Sequence, residues 1–178
     1  EDISSIIMDR LNEDFDGKLD LAIKIFKNEY KKKFLHQLVS SQLDMDRLDY
    51  LSRDSFYSGV TEGKVGSKRI IKMLSVSNDQ LVIEEKGIYS IEKFIIARRL
   101  MYWQVYLHRT VLSAEHMLTL ILRRAKYLTK SGVKLFSSPS LSLFLENDFY
   151  KQSFISNPNI LDSFCELDDS DIYCAMKA

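Results

Sequence analysis

The sequence has little of what builds disulfide frameworks, turn-rich sandwiches or nucleic-acid surfaces. Two cysteines, Cys165 and Cys174, occur in 178 residues. One pair is no disulfide framework in a chain this size, and two thiols without neighbouring histidines make no zinc site. They read as reduced thiols, which implies a cytoplasmic protein. Six glycines and two prolines are too few for an all-β sandwich dense in turns. The 25 basic and 25 acidic residues cancel, so neither nucleic acid nor an anionic membrane surface is indicated as a partner. No apolar run is long enough to cross a bilayer, because the most apolar stretch, residues 94–107, is interrupted by Arg98, Arg99 and Gln104. The dipeptide His-Asp is absent, and His36, His108 and His116 read as structural or surface residues.

What is present is helical patterning. Hydrophobic residues make up 46% of the chain and charged residues 28%, the balance of a globular protein. Residues 2–12 carry the apolar spacing of an amphipathic helix (Ile3, Ile6, Ile7, Leu11), and the Asp14 to Gly17 stretch breaks it. Helical periodicity is predicted again over 19–31 and 34–58, with a reset near 42–44 and a C-terminal glycine cap at Gly59. The run Lys31-Lys32-Lys33 reads as a solvated face. Residues 69–89 change period: Ile71, Met73 and Ser75, then Leu81 and Ile83, alternate around Ser77-Asn78-Asp79 and predict a two-stranded hairpin. Ser90 is the expected N-cap of a long helix over 91–110. Further helices are expected over 113–129, 141–149 and from Ile160 onward. The chain opens and closes inside helical periodicity, which predicts a segment of a longer protein.

Two segments carry chemistry. In Leu43-Asp44-Met45-Asp46-Arg47-Leu48-Asp49-Tyr50-Leu51-Ser52-Arg53-Asp54, four aspartates, two arginines and a tyrosine crowd between apolar flanks. On a helix Asp46, Tyr50, Arg53 and Asp54 share one face, with Arg47 at its margin. Bunched carboxylates repel unless a cation neutralises them, and a divalent metal or the two arginines could do so. A purely structural Asp–Arg network closing a helix junction satisfies the same spacing. Farther along, Arg98, Tyr102, Tyr106 and Arg109 recur at helical intervals and predict a cationic, aromatic stripe suited to a polyphosphate with a base or sugar beside it. Tyrosines that merely bridge core and solvent would look alike.

The run 37–54 resembles the last signature of the HD-superfamily deoxynucleoside triphosphate triphosphohydrolases, Asp-x-Asp-Lys/Arg-x-Asp-Tyr-x-x-Arg-Asp. The run 96–109, with Met101-Tyr102-Trp103-Gln104-Val105-Tyr106 at its centre, resembles an Arg-bearing helix of the same family, and weaker similarity covers the rest of the chain. The resemblance implies that Asp46 is the final metal ligand, that Arg47 stands where a phosphate-binding Lys is usual, and that Tyr50 and Asp54 face the sugar. It implies that Arg98 and Tyr106 contact the nucleotide. Leu107 departs from the family's polar residue near the base and leaves base preference open. Arg69 and Lys86 fall where some relatives bind a regulatory nucleotide; solvated charges would occupy the same places.

The expectation is a mainly α protein: a portion of an HD-type helical bundle with one small hairpin at about 69–89. Residues 1–68 are expected to end the HD core and 69–178 to form the hairpin and a C-terminal helical region. The implied activity is hydrolysis of (deoxy)nucleoside triphosphates to nucleoside and triphosphate, with a divalent ion (Mg, Mn, Fe or similar) that lowers the pKa of a bound water. The implied assembly is a homo-oligomer. The His and His-Asp ligands of such a site are expected upstream of Glu1, so the intact protein is expected to be active and these 178 residues alone inactive. Two alternatives stay open: an HD phosphohydrolase of other specificity (a monophosphatase or cyclic-nucleotide phosphodiesterase), and a non-catalytic helical oligomerisation module.

Overall fold

A computed structural model describes residues 2–177. The described residues form eleven α-helices and one two-stranded antiparallel sheet, the mainly α architecture expected. They divide into two compact units, one of residues 18–113 and one of residues 1–17 with 114–178. Position 69, expected to open a second region, lies inside a helix of the 18–113 unit.

In the 18–113 unit, α2 (Asp20–Phe26) and α3 (Lys33–Val39) precede α4 (Met45–Ser58). The reset near 42–44 is a helix start: Asp44 is the N-cap of α4, buried, with its carboxylate accepting the Arg47 amide at 2.8 Å. Gly59 ends α4 at φ 72°, in the left-handed region where a side chain is strained. A 3-10 turn, Thr61–Gly63, then α5 (Ser67–Met73) lead into β1 (Leu74–Ser77) and β2 (Gln80–Ile83).

The hairpin is therefore shorter than the alternation suggested, and Ile71 and Met73 lie on α5 rather than on a strand. Leu74 pairs with Ile83 and Ser77 with Gln80. Asn78 and Asp79 both take positive φ, 49° and 59°, which gives the turn a twist matching that of the strands. Helix α3 covers the outer edge of β2: the Gln37 side-chain oxygen accepts the Leu81 amide at 2.7 Å, and the Asp79 carboxylate accepts the Lys33 amide at 2.9 Å.

A 3-10 turn, Glu85–Gly87, passes directly into α6 (Ile88–Met101). Ser90 is thus inside the first helical turn, and the expected N-cap is corrected. The long helix expected to 110 is also interrupted. Residues Tyr102–Tyr106 form a π-helical turn, Leu107 and His108 break the chain, and α7 (Arg109–Lys130) begins anew. Helices α4, α5 and α6 meet over Leu48, Leu51, Ile70, Phe94 and Met101, all buried, with Tyr50, Val105 and Tyr106 packed at the margin. Gly63 allows the close approach of the 3-10 turn, because a Cβ there would lie 2.8 Å from both the Met101 sulfur and the Ser55 Cβ.

The other unit holds α1 (Asp2–Asp14), most of α7, α8 (Pro139–Glu146), α9 (Lys151–Ser156), α10 (Pro158–Glu166) and α11 (Asp169–Lys177). Both prolines sit at helix starts behind capping residues, Ser138 and Asn157, where a missing amide hydrogen costs nothing. The helical stretch expected from Ile160 onward is split at Leu167 and Asp168. Phe154, Ile160 and Leu161 form this unit's core with Ile3, Ile6, Ile7, Phe144 and Phe149 around them.

Truncating a fully buried residue tests the α4–α6 core. Leu51→Ala is expected to lower unfolding free energy by about 2–5 kcal/mol, whereas Phe56→Ala, on the exposed side of the same helix, should shift it by less than about 0.5 kcal/mol. Urea denaturation of both variants measures the difference.

Candidate functional site

Helix α4 and the α6–π-turn segment bring the two chemically loaded stretches together within the 18–113 unit. The Tyr106 hydroxyl donates to the Asp54 carboxylate at 2.6 Å across 52 residues of sequence. The Tyr106 ring packs edge-to-face on Tyr50, at 6.1 Å between centroids, and on Tyr102, at 5.3 Å. The Arg98 guanidinium lies 5.8 Å above the Tyr102 ring and donates to the Gln42 side-chain oxygen at 2.9 Å. Asp54, Tyr50, Tyr106, Tyr102, Arg98 and Gln42 thus form one continuous cluster.

The π turn is what aims Tyr106. Its amide-to-carbonyl bond runs from Leu107 back to Tyr102, five residues, at 2.7 Å, so the turn is wider than an α-helical one. Tyr106 remains against Tyr102 yet also reaches α4. Arg109, expected on the same stripe, lies beyond the break and starts α7. Leu112, within the first turn of α7, is exposed.

The electrostatics follow from the packing. Burial, then the bond to Asp54, pushes the Tyr106 phenol far above its ordinary value. Burial also raises Tyr50, while the positive charges of Arg98 and Arg47 pull it back. Both arginines therefore act on the same phenol. Arg47 is more constrained than expected: its guanidinium donates to the Ser41 carbonyl and to the Asp44 carboxylate, tying the start of α4. Arg53 is paired with Asp49 at 2.8 Å on the exposed side.

Asp46 is exposed on the first turn of α4, one turn before Tyr50. Its charge contributes to raising the Arg53 guanidinium, after the larger effect of Asp49. Among the described residues no group of three or more His, Cys, Asp or Glu side chains converges as a metal would require. These residues by themselves do not fit a metal ion; Asp46 can offer one hard oxygen ligand.

Arg69 and Lys86 are neighbours. Arg69 donates to the Lys86 carbonyl at 3.3 Å, and the Lys86 ammonium pairs with Glu84 at 2.6 Å. Both side chains are exposed. One cluster member, Gln42, carried too weak a signal to be singled out. A lone Gln in a reset between helices has no period, and only tertiary packing brings it under Arg98. A cavity of about 530 Å³ in the other unit is lined mainly by apolar side chains such as Ile121, Leu145 and Ile172, with Lys134 as its charged lining residue.

Residues 65–137 match the HD associated region family. That stretch contains α5, the hairpin, α6, the π turn and all of α7, and with them Arg69, Lys86, Arg98 and Tyr106; the aspartate-rich α4 precedes it. A phosphohydrolase from Bacteroides thetaiotaomicron shares 62% identity and a TM-score of 0.94, over 98% of this chain and 43% of that one. The protein YwfO of Bacillus subtilis is 40% identical over 159 residues, which are 89% of this chain and 34% of that protein. A Dictyostelium discoideum protein named deoxynucleoside triphosphate triphosphohydrolase SAMHD1 homolog is 30% identical over 91 residues, 49% of this chain and 18% of that protein. The chain thus spans well under half the length of these relatives. No helix among the described residues is long and apolar enough to cross a membrane.

The Asp54–Tyr106 bond has a titration signature. The raised Tyr106 phenol stays protonated in the folded state where an unfolded one, near 10.0, ionises. Its stabilising effect is therefore whole below that pH and lost as pH climbs toward the raised value. Ultraviolet titration should show a late-ionising phenol that Tyr106→Phe removes. The stability advantage of the unaltered protein over Tyr106→Phe should shrink only on the alkaline side.

Proposed function

We propose that the intact protein is a metal-dependent HD phosphohydrolase that splits (deoxy)nucleoside triphosphates into nucleoside and inorganic triphosphate. The observation that carries this reading is the joining of Asp54, Tyr50, Tyr106 and Arg98 from two distant helices into one cluster. The Bacteroides phosphohydrolase and the Dictyostelium triphosphohydrolase homolog support it through their similarity to this chain.

In this reading each side chain has a distinct task. Arg98, with one bond to a neutral Gln and one ring beneath it, keeps donors free for a phosphate and stabilises charge that builds on the triphosphate. Asp54 holds Tyr106 in place and keeps acceptor capacity for a sugar hydroxyl. Tyr50 closes the sugar side. Arg47, anchored to Asp44, supplies positive potential more than a mobile contact. Asp46 is the single ligand this chain gives to a divalent ion, whose remaining ligands come from outside the 178 residues. Such an ion, when bound, supplies a hydroxide-like water at neutral pH. Arg69 and Lys86 are the residues for a regulatory nucleotide.

A second reading, an HD phosphohydrolase for monophosphates or cyclic nucleotides, is favoured by one feature. Leu107 is apolar and exposed just past Tyr106, where a polar contact to a base would be expected.

Product analysis of the intact protein against deoxynucleoside triphosphates, monophosphates and cyclic nucleotides separates the two. Inorganic triphosphate should appear, and Arg98→Ala and Asp46→Asn should each lower kcat/KM by roughly a hundredfold or more, with Phe56→Ala as an unaffected control. Chelation should abolish turnover, and added divalent ion should restore it. The 178-residue chain alone should release no triphosphate. Turnover of only monophosphates or cyclic nucleotides would overturn the triphosphate reading.

A further inference from the structure

Helix α7 is amphipathic, yet none of its 22 residues is buried. Leu118, Ile121, Leu122 and Ala125 share its apolar side at helical spacing, and that side meets α8 and α11 across open space. Bonds between the helices hold the walls of this space. The Thr129 hydroxyl donates to the Leu145 carbonyl at 3.0 Å and ties α7 to α8. The Asp171 carboxylate accepts the Ser138 hydroxyl and ties α11 to the start of α8. Between them lies the cavity of about 530 Å³, inside the size range of small-molecule sites. Leu141 and Leu145 are buried in its wall, whereas Phe136, on the segment between α7 and α8, is 69% exposed beside it.

Shape and charge say what fits. The cavity adjoins a second one of about 390 Å³, with Ile121, Ile172 and Met176 lining both. The apolar space therefore follows α7 from Ala114 to Ala125, about 16 Å along the axis. Its two parts differ in charge. Lys134 lines the first, and among the described residues its ammonium has no ion pair or hydrogen bond, whereas Lys126 and Lys130 both hold Asp148. Glu115 and Asp169 line the second. We infer that this site binds an unbranched aliphatic carboxylate, a free fatty acid, with its head on Lys134 and its chain along α7 toward Ile172.

Each part of the ligand answers a feature of the site. Water in an apolar cavity finds few hydrogen-bonding partners, so a hydrocarbon chain that displaces it is stabilised by burial. A flexible chain also fills an elongated space that a compact ring system leaves partly empty. One unpaired lysine matches one negative charge. A phosphate ester would leave its second charge unmatched, and the planar fork of an arginine suits it better. The carboxylates of Glu115 and Asp169 repel an anionic head and so fix the direction of the chain. No residue of the Arg98–Tyr106 cluster takes part, and the inference does not rest on the proposed activity.

Titration calorimetry of the intact protein with three probes of equal chain length tests it: decanoate, decanol and decylammonium. Decanoate should bind most tightly and decylammonium least. Lys134→Glu, a change at an exposed side chain, should weaken decanoate roughly tenfold, through the lost attraction and the new repulsion together. It should also reverse the order of the two ions, and Lys134→Arg should keep that order. Ala125→Trp, which fills the cavity, should abolish binding of all three, with circular dichroism as the folding control. The inference is overturned by an intact protein with no saturable binding, by three heads that bind alike, or by Lys134→Glu leaving the order unchanged. A folded Ala125→Trp that still binds decanoate would overturn it too, as would sedimentation with phosphatidylglycerol vesicles by a protein that ignores free decanoate.

Discussion

The candidate site depends on one hydrogen bond, from the Tyr106 phenol to the Asp54 carboxylate, made between helices that the chain visits 52 residues apart. That bond lies at the margin of a core in which Leu51 and Leu48 of α4 pack with Phe94 and Met101 of α6. Apolar packing sets the distance between the helices, and the polar bond sets the rotation of Tyr106. Neither acts alone: packing is not directional, and a phenol to carboxylate bond cannot hold two helices together. The neighbouring rings, Tyr50 and Tyr102, fill the space beside it and exclude enough water to raise both the Tyr50 and the Tyr106 phenols.

The start of α4 shows how a crowded acidic stretch is partitioned. Of its four aspartates, Asp44 turns inward to cap the helix and bind Arg47, Asp49 pairs outward with Arg53, and Asp54 takes the phenol. Asp46 is left exposed beside them. The structural reading of these residues, an Asp–Arg network at a helix junction, is therefore right for Asp44 with Arg47 and for Asp49 with Arg53. The chemical reading rests on Asp46 and Asp54. The two readings compete only while the helix is imagined as having a single face.

The similarity to a Bacteroides phosphohydrolase of more than twice this chain's length, and to the HD associated region over 65–137, is consistent with a chain that brings recognition elements rather than a full ligand set. Arginine, phenols and one free carboxylate suit binding and charge stabilisation. A metal centre needs several ligands with fixed neighbours, and the described residues gather no such group.

Local chemistry wrote the mainly α content, the cap at Gly59, the turn at Asn78-Asp79, the prolines at helix starts and the shared face of Asp46, Tyr50 and Asp54 into the sequence. Each depends on side-chain sterics or on bonds within a few residues, which periodicity and residue type report directly. Only the folded chain decided that α6 yields to a π turn, that Ile71 and Met73 are helical, and that Gln42 lies under Arg98. These are settled by partners dozens of residues away, whose pull on a torsion or a guanidinium leaves no trace in the local pattern.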